Sequence, residues 1–228
     1  MKQSRKTFLR WLYFLPDRCQ GKLASFAMNR RYPGLDFNMD YNTEFDKQTG
    51  FGYEAMAGSF FREVIRRVPI PHRDIRFLDI GCGKGNTLFS AKKYGFAKVA
   101  GVELSDKFFT ACENNMRILG LDDVTLYHQD ASTLENELDE YNMIFLFNPF
   151  PEEVMKRFLQ HLKESMSRTP RAGCIVYAHP VFGKVFVEMG FQEWHRFEME
   201  TYYYSNADAI YYNLEDTSLQ CRCNTTSD

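Results

Sequence analysis

Three carboxylates and three glycines are the residues of this sequence best suited to hold a small ligand. Asp79 lies near the end of the apolar run Ile75–Ile80, just ahead of Gly81, Gly83 and Gly85. Glu103 closes the run Val99–Val102, 22 residues after Gly81, and Asp130 follows the run Val124–His128. Glycines at every second position let the backbone turn tightly and let a ligand approach without a Cβ in the way. The free N–H groups of a helix starting beyond them would face that ligand. A carboxylate at Glu103 can accept from both hydroxyls of a ribose. Three acids around one pocket suit a ligand with an amine, a positive charge and a ribose diol, and suit a phosphorylated ligand poorly. The dinucleotide fingerprint Gly-x-Gly-x-x-Gly also fails at its third glycine, where Asn86 stands.

These residues need elements to bring them together. The apolar run 75–80 predicts a first strand, and Leu88, Phe89, Ala91 and Tyr94 predict a helix over 86–94. A second strand is expected over Lys98–Glu103, and a helix over Asp106–Leu119 with Ser105 as its N-cap. A third strand spans Val124–His128, followed by a short helix to Leu138. The fourth strand, Asn142–Phe147, is almost wholly apolar, as a central parallel strand should be. Helix Glu152–Met166, strand Gly173–Ala178 and a short helix Val181–Met189 complete five strand–helix alternations. Gln192–Glu198 and Ala209–Leu214 predict an antiparallel hairpin at the sheet edge. The expected fold class is α/β, a doubly wound, mostly parallel, seven-stranded Rossmann-like sheet. In such a sheet ligands lie beyond the carboxyl ends of the strands, and every acid named above sits at such an end.

An acid, a Gly-x-Gly-x-Gly loop, an acid ending the second strand and an acid after the third occur here in order. In this the sequence resembles the class I S-adenosylmethionine-dependent methyltransferases over roughly residues 50–190. The resemblance implies S-adenosylmethionine as cofactor and S-adenosylhomocysteine as product. It implies that Asp79 orients the loop or helps hold the methionine ammonium, and that Gly81, Cys82, Gly83 and Gly85 line the cofactor. Glu103 would hold the ribose and Leu104 cover the adenine, with Asp130 and Ala131 on its edge. In this fold family the segment before the first strand often closes over the cofactor. Thr49-Gly50-Phe51-Gly52-Tyr53 suits such a lid, with Tyr53 as a cofactor contact. The loop at Asp79, together with Asn148-Pro149-Phe150, is similar to that of small uncharacterised bacterial methyltransferases. Over residues 77–105, Asp-Ile-Gly-x-Gly-Lys-Gly followed by Gly-Val-Glu-Leu-Ser is also loosely similar to histone lysine methyltransferases of the telomeric-silencing type.

For the acceptor side, the fourth strand ends in Asn148-Pro149-Phe150-Pro151. Amino-methylating relatives carry Asn/Asp-Pro-Pro-Tyr/Phe there, and this sequence is one residue shorter before the aromatic. The resemblance favours N-methylation, with Asn148, Pro149 and Phe150 at the reacting end and Asn148 also as a cofactor contact. Methyl transfer by in-line displacement calls mainly for positioning. His179, after the fifth strand, is the candidate base should the acceptor need to lose a proton; His128, Tyr177 and Tyr53 are further candidates.

The chain has 228 residues with a net charge of −2, yet residues 1–32 hold eight Lys/Arg against Asp17 alone. This basic, aromatic arm predicts either an anionic partner or a helix packed on the domain. The expected organisation is the arm 1–32, a lid and helix 33–72, a catalytic domain 73–214 and a polar tail 215–228. Six scattered cysteines predict a reduced, cytoplasmic protein without a bound metal, and no apolar run reaches membrane-helix length. The acceptor is expected to be a small molecule or a protein. Two rival readings are a catalytically silent cofactor-binding module and a nicotinamide-dependent oxidoreductase.

Overall fold

The computed structural model describes residues 30–37, 58–199 and 207–214. The expected arm over 1–29, the lid with Phe51 and Tyr53, and the tail 215–228 lie outside the described residues.

The chain alternates as expected. Helix α1 (Gly58–Ile65) precedes β1 (Arg76–Ile80), α2 (Asn86–Tyr94), β2 (Lys98–Glu103), α3 (Asp106–Leu119) and β3 (Thr125–His128). Two 3-10 turns, Ala131–Thr133 and Asn136–Glu140, stand where one short helix was expected. Then follow β4 (Met143–Phe147), α4 (Glu152–Arg168), β5 (Cys174–Ala178), α5 (Gly183–Glu188), β6 (Glu193–Met199) and β7 (Ala207–Asn213).

The seven strands form one sheet in the order β3-β2-β1-β4-β5-β7-β6. The pairs from β3 to β5 are parallel, and β7 runs antiparallel between β5 and β6. Period-two alternation sends Phe77, Val99, Met143, Phe145 and Val176 to one face, against Phe61, Ile65, Leu88 and Met116 of α1 to α3. Leu78, Ile80, Ile144, Leu146 and Ile175 go to the other, against Met155, Phe158, Leu162 and Phe186 of α4 and α5. The central strands are apolar throughout because both of their faces are covered.

Two boundaries differ from the sequence reading for a visible reason. The fourth strand starts at Met143 because Asn142 spends its side chain as a clasp, accepting from Arg76 N (2.7 Å) and donating to Asp74 O (3.0 Å). Ser105 occupies the N-cap position of α3, but its hydroxyl makes no capping bond; Glu103 reaches its backbone N–H instead.

Candidate active site

The strand order reverses between β1 and β4, the switch point where ligands bind in open α/β sheets. From β1 the chain turns through Gly81, Cys82, Gly83, Lys84 and Gly85 into α2. The N–H groups of Gly81 and Cys82 both donate to Val102 O at 2.9 Å, hooking the loop over β2. Glu103 is buried, and its Oε2 accepts from Gly83 N while its Oε1 accepts from Ser105 N, each at 2.9 Å. The acid expected to hold a ribose therefore also ties the glycine loop to the start of α3.

Two of the loop glycines are demanded by what surrounds them. Gly81 has φ +77, and a Cβ there would stand 2.8 Å from Cβ of Pro149. The loop after β1 and the turn after β4 thus touch across the switch point. Gly85 has φ +85, and its Cβ would meet Cys112 Sγ and Met116 Cε, each at 2.7 Å. Cys82 turns its thiol into the core, where Cys112 shares a hydrogen bond with it and burial holds it protonated. Its backbone is taken as well, by Val102 O and Gly85 N.

Asp79 is buried and accepts from the Thr87 hydroxyl in the first turn of α2. Burial pushes its carboxyl up to about 7, the Thr87 bond opposing and the Glu103 charge adding to the rise. A cation placed against it would restore the ionised form. Asp130 caps the turn Ala131–Thr133, its Oδ1 accepting from Ser132 N at 2.8 Å. Leu104 stands half-exposed beside Glu103.

On the β4 side, Asn148 and His179 are the two non-glycine residues with positive φ among the described residues, at +42 and +48. Strained backbone of this kind clusters at functional sites. Tyr177, on β5, donates its hydroxyl proton to Asn148 Oδ1 (3.2 Å) and accepts from Phe182 N (3.3 Å). Burial pushes the Tyr177 phenol up to about 12, which keeps its proton on the bond to Asn148 at neutral pH. His128 is engaged elsewhere, stacked on Phe109 at 4.3 Å and 3.1 Å from Asp106 Oδ1. Phe150 rests edge-on against Phe158 of α4, with ring centroids 6.0 Å apart. It is partly buried against the core on the α4 face of the sheet.

The methyltransferase-domain family matches this sequence over residues 77–168, from β1 to the end of α4. Over that stretch the chain is similar to methyltransferase domains. No curated protein matches it in sequence. Solved structures share the fold at low identity. A methyltransferase from Pyrococcus furiosus superposes with a TM-score of 0.57 at 13% identity, over 88% of this chain and 99% of that one. An S-adenosylmethionine-dependent methyltransferase from Aquifex aeolicus gives 0.54 at 15%, over 68% and 89%. The ribosomal protein L11 methylase of Lactobacillus delbrueckii subsp. bulgaricus gives 0.54 at 17%, over 75% and 84%.

The fold brings together Asp79, Gly81, Gly83, Gly85, Glu103, Asn148 and Pro149 around the switch point. Asp130, Ala131 and Leu104 lie on its β2–β3 side and His179 on its β5 side. Sequence reasoning missed Thr87, Tyr177 in its role as a clamp, and a polar cluster behind the glycine loop. Asn115 of that cluster left a signal, a polar residue on the stripe Phe108, Cys112, Met116 that α3 buries. Among the described residues no helix is long and apolar enough to cross a membrane, and no three His, Cys, Asp or Glu side chains gather as a metal site.

Proposed function

We propose that this enzyme passes the methyl group of S-adenosylmethionine to a nitrogen acceptor seated between the ends of β4 and β5. The observation that carries the reading is the pairing of two left-handed residues, Asn148 and His179, at that edge. The Gly81–Pro149 contact joins this edge to the glycine loop.

The residues present fit the cofactor. Glu103 accepts from the ribose hydroxyls while holding Gly83 N–H. Asp79 faces the methionine ammonium, directly or through water, and Gly81, Gly83 and Gly85 leave room for the backbone to approach. Asp130 and the first N–H of the turn at Ala131 meet the adenine edge, and Leu104 covers its face. When bound, the cofactor supplies a sulfonium-activated methyl group, so the chain need only place the acceptor in line with it.

Asn148 does that placing. Tyr177 fixes its carboxamide, and a carbonyl oxygen that accepts one proton has a second lone pair for the N–H of an acceptor. The Pro149 carbonyl offers another. His179 takes the proton an amine acceptor must lose. Residues 73–214 form the catalytic unit in this reading, with the basic arm of residues 1–32 available to an anionic partner.

The test is transfer of an isotopically labelled methyl group to fractionated small molecules and proteins, with the methylated atom located by mass spectrometry. Label on nitrogen supports the reading. Label on oxygen or carbon overturns the nitrogen assignment.

A further inference from the structure

A fully buried asparagine on α3 spends its whole side chain on two distant pieces of backbone. Asn115 Oδ1 accepts from Asp36 N at 2.9 Å. Its Nδ2 donates to Asp36 O at 2.7 Å and to Lys84 O at 2.9 Å. One side faces an N–H and the other two carbonyls, so the orientation of the amide is fixed by its partners. Lys84 sits inside the glycine loop and is itself buried, its ammonium 2.8 Å from Asp36 Oδ2. The short strap that carries Asp36 is seated on the domain by its neighbours. Leu35 is buried, and the Phe37 ring lies 5.9 Å from Phe89 of α2.

The consequence falls on one peptide unit. The carbonyl of the Lys84–Gly85 peptide is held by Asn115, and its N–H donates to Cys82 O at 2.9 Å. Two peptide units earlier, Gly83 N–H is held by Glu103. Glycine on both sides of Lys84 would otherwise let these peptides rotate between several states. Every such state except one misdirects the groups that face a ligand. A loop that must first find the competent state binds more weakly by the fraction of time it spends there.

We propose that Asn115 is a positioning residue for the cofactor, holding the glycine loop in its binding-competent shape and coupling it to the strap at Leu35–Phe37. It acts through Lys84 and Asp36 and touches no reacting atom. The proposal rests on the glycine loop being the cofactor cradle.

The experiment compares S-adenosylhomocysteine affinity, by calorimetry, in the wild type, Asn115→Ala and Ser165→Ala. Ser165 is an equally buried polar residue, on α4, where it accepts from Arg171 at 3.0 Å away from the loop. Asn115→Ala is expected to weaken binding about tenfold or more, as when the competent fraction drops to about a tenth. Turnover at saturating cofactor should be unchanged. Ser165→Ala should lower thermal stability and leave affinity as in the wild type. Wild-type affinity in Asn115→Ala, or equal weakening by Ser165→Ala, overturns the proposal. Hydrogen exchange on the wild type gives a second reading that needs no variant. Coupling is reciprocal, so S-adenosylhomocysteine should slow exchange at the Asp36 and Gly85 amides, and unchanged exchange at both contradicts it. If the wild type binds no S-adenosylhomocysteine at all, the cradle assignment beneath the proposal falls with it.

Discussion

Asn148 and His179 stand side by side because the residues before them, Phe147 and Ala178, are register partners across β4 and β5. Both adopt a left-handed backbone, φ +42 and +48. A left-handed residue at a strand end turns the chain sharply out of the sheet, so both side chains start from the same edge. His179 is held there by its own backbone, its N–H donating to Asp208 O at 2.9 Å. Asn148 is held through its side chain by Tyr177.

Asn148→Ala is accordingly expected to lower kcat by about 100-fold, the scale of a lost positioning contact, while S-adenosylhomocysteine binds as before. Tyr177→Phe keeps the ring and removes both hydroxyl bonds, to Asn148 Oδ1 and from Phe182 N; the one to Asn148 is worth about 1 kcal/mol, so kcat should fall about fivefold. Equal losses in cofactor affinity in both variants would place Asn148 in the cofactor site rather than the acceptor site.

Gly81 and Gly95 form a natural control pair. Both have φ +77, but a Cβ on Gly95 meets nothing within 4 Å, whereas on Gly81 it would stand 2.8 Å from Pro149 Cβ. Gly95→Ala should cost only the left-handed strain, roughly 1–2 kcal/mol by denaturant unfolding, with cofactor affinity intact. Gly81→Ala must also move Pro149 or the loop, and should lose cofactor affinity and turnover as well. Identical behaviour of the two variants would mean that the contact across the switch point has no functional weight.

The buried Asp79 gives a pH dependence with a definite sign. An unfolded aspartate ionises near 3.9, and this one ionises at about 7. Between those values the native state holds a proton that the unfolded chain has lost. Its contribution to stability therefore falls as pH rises from about 4 to about 7, then levels off. Cofactor binding should run the other way, because the methionine ammonium prefers the carboxylate. Affinity should rise by up to about tenfold per pH unit below about 7, with proton release on binding visible in calorimetry in buffers of different ionisation heat. Asp79→Asn should flatten both profiles. Equal slopes in the variant and the wild type would assign the dependence to another group.

Much of this was legible in the sequence, for identifiable reasons. The central strands are apolar runs bounded by glycine or acid, so β1, β2, β4 and β5 came out within a residue or two of their observed bounds. Glycine spacing and acids at strand ends located the switch point. The order of the edge pair was not legible, because either strand of a hairpin can pair with β5; the structure places β7 there. The distant partners of clamping side chains were equally invisible, even where, as at Asn115, a polar residue on a buried stripe marked the clamp itself. Nothing in Asn115 or Tyr177 announces a partner 31 or 29 residues away. The departure after Asn148-Pro149 was visible as a missing residue, but its result, Phe150 leaning on Phe158, depends on where α4 packs.

The central claim is that Glu103 holds the cofactor at the glycine loop. Calorimetric titration of S-adenosylhomocysteine into the wild type and Glu103→Gln tests it most directly. The glutamine keeps the shape but loses the charge that both ribose hydroxyls and the Gly83 N–H would use. Hydrogen bonds to a charged group are worth about 1.5–3 kcal/mol each, so the variant should bind about 10- to 100-fold more weakly. Equal affinity in the two proteins, or no binding to the wild type at millimolar ligand, would contradict the account.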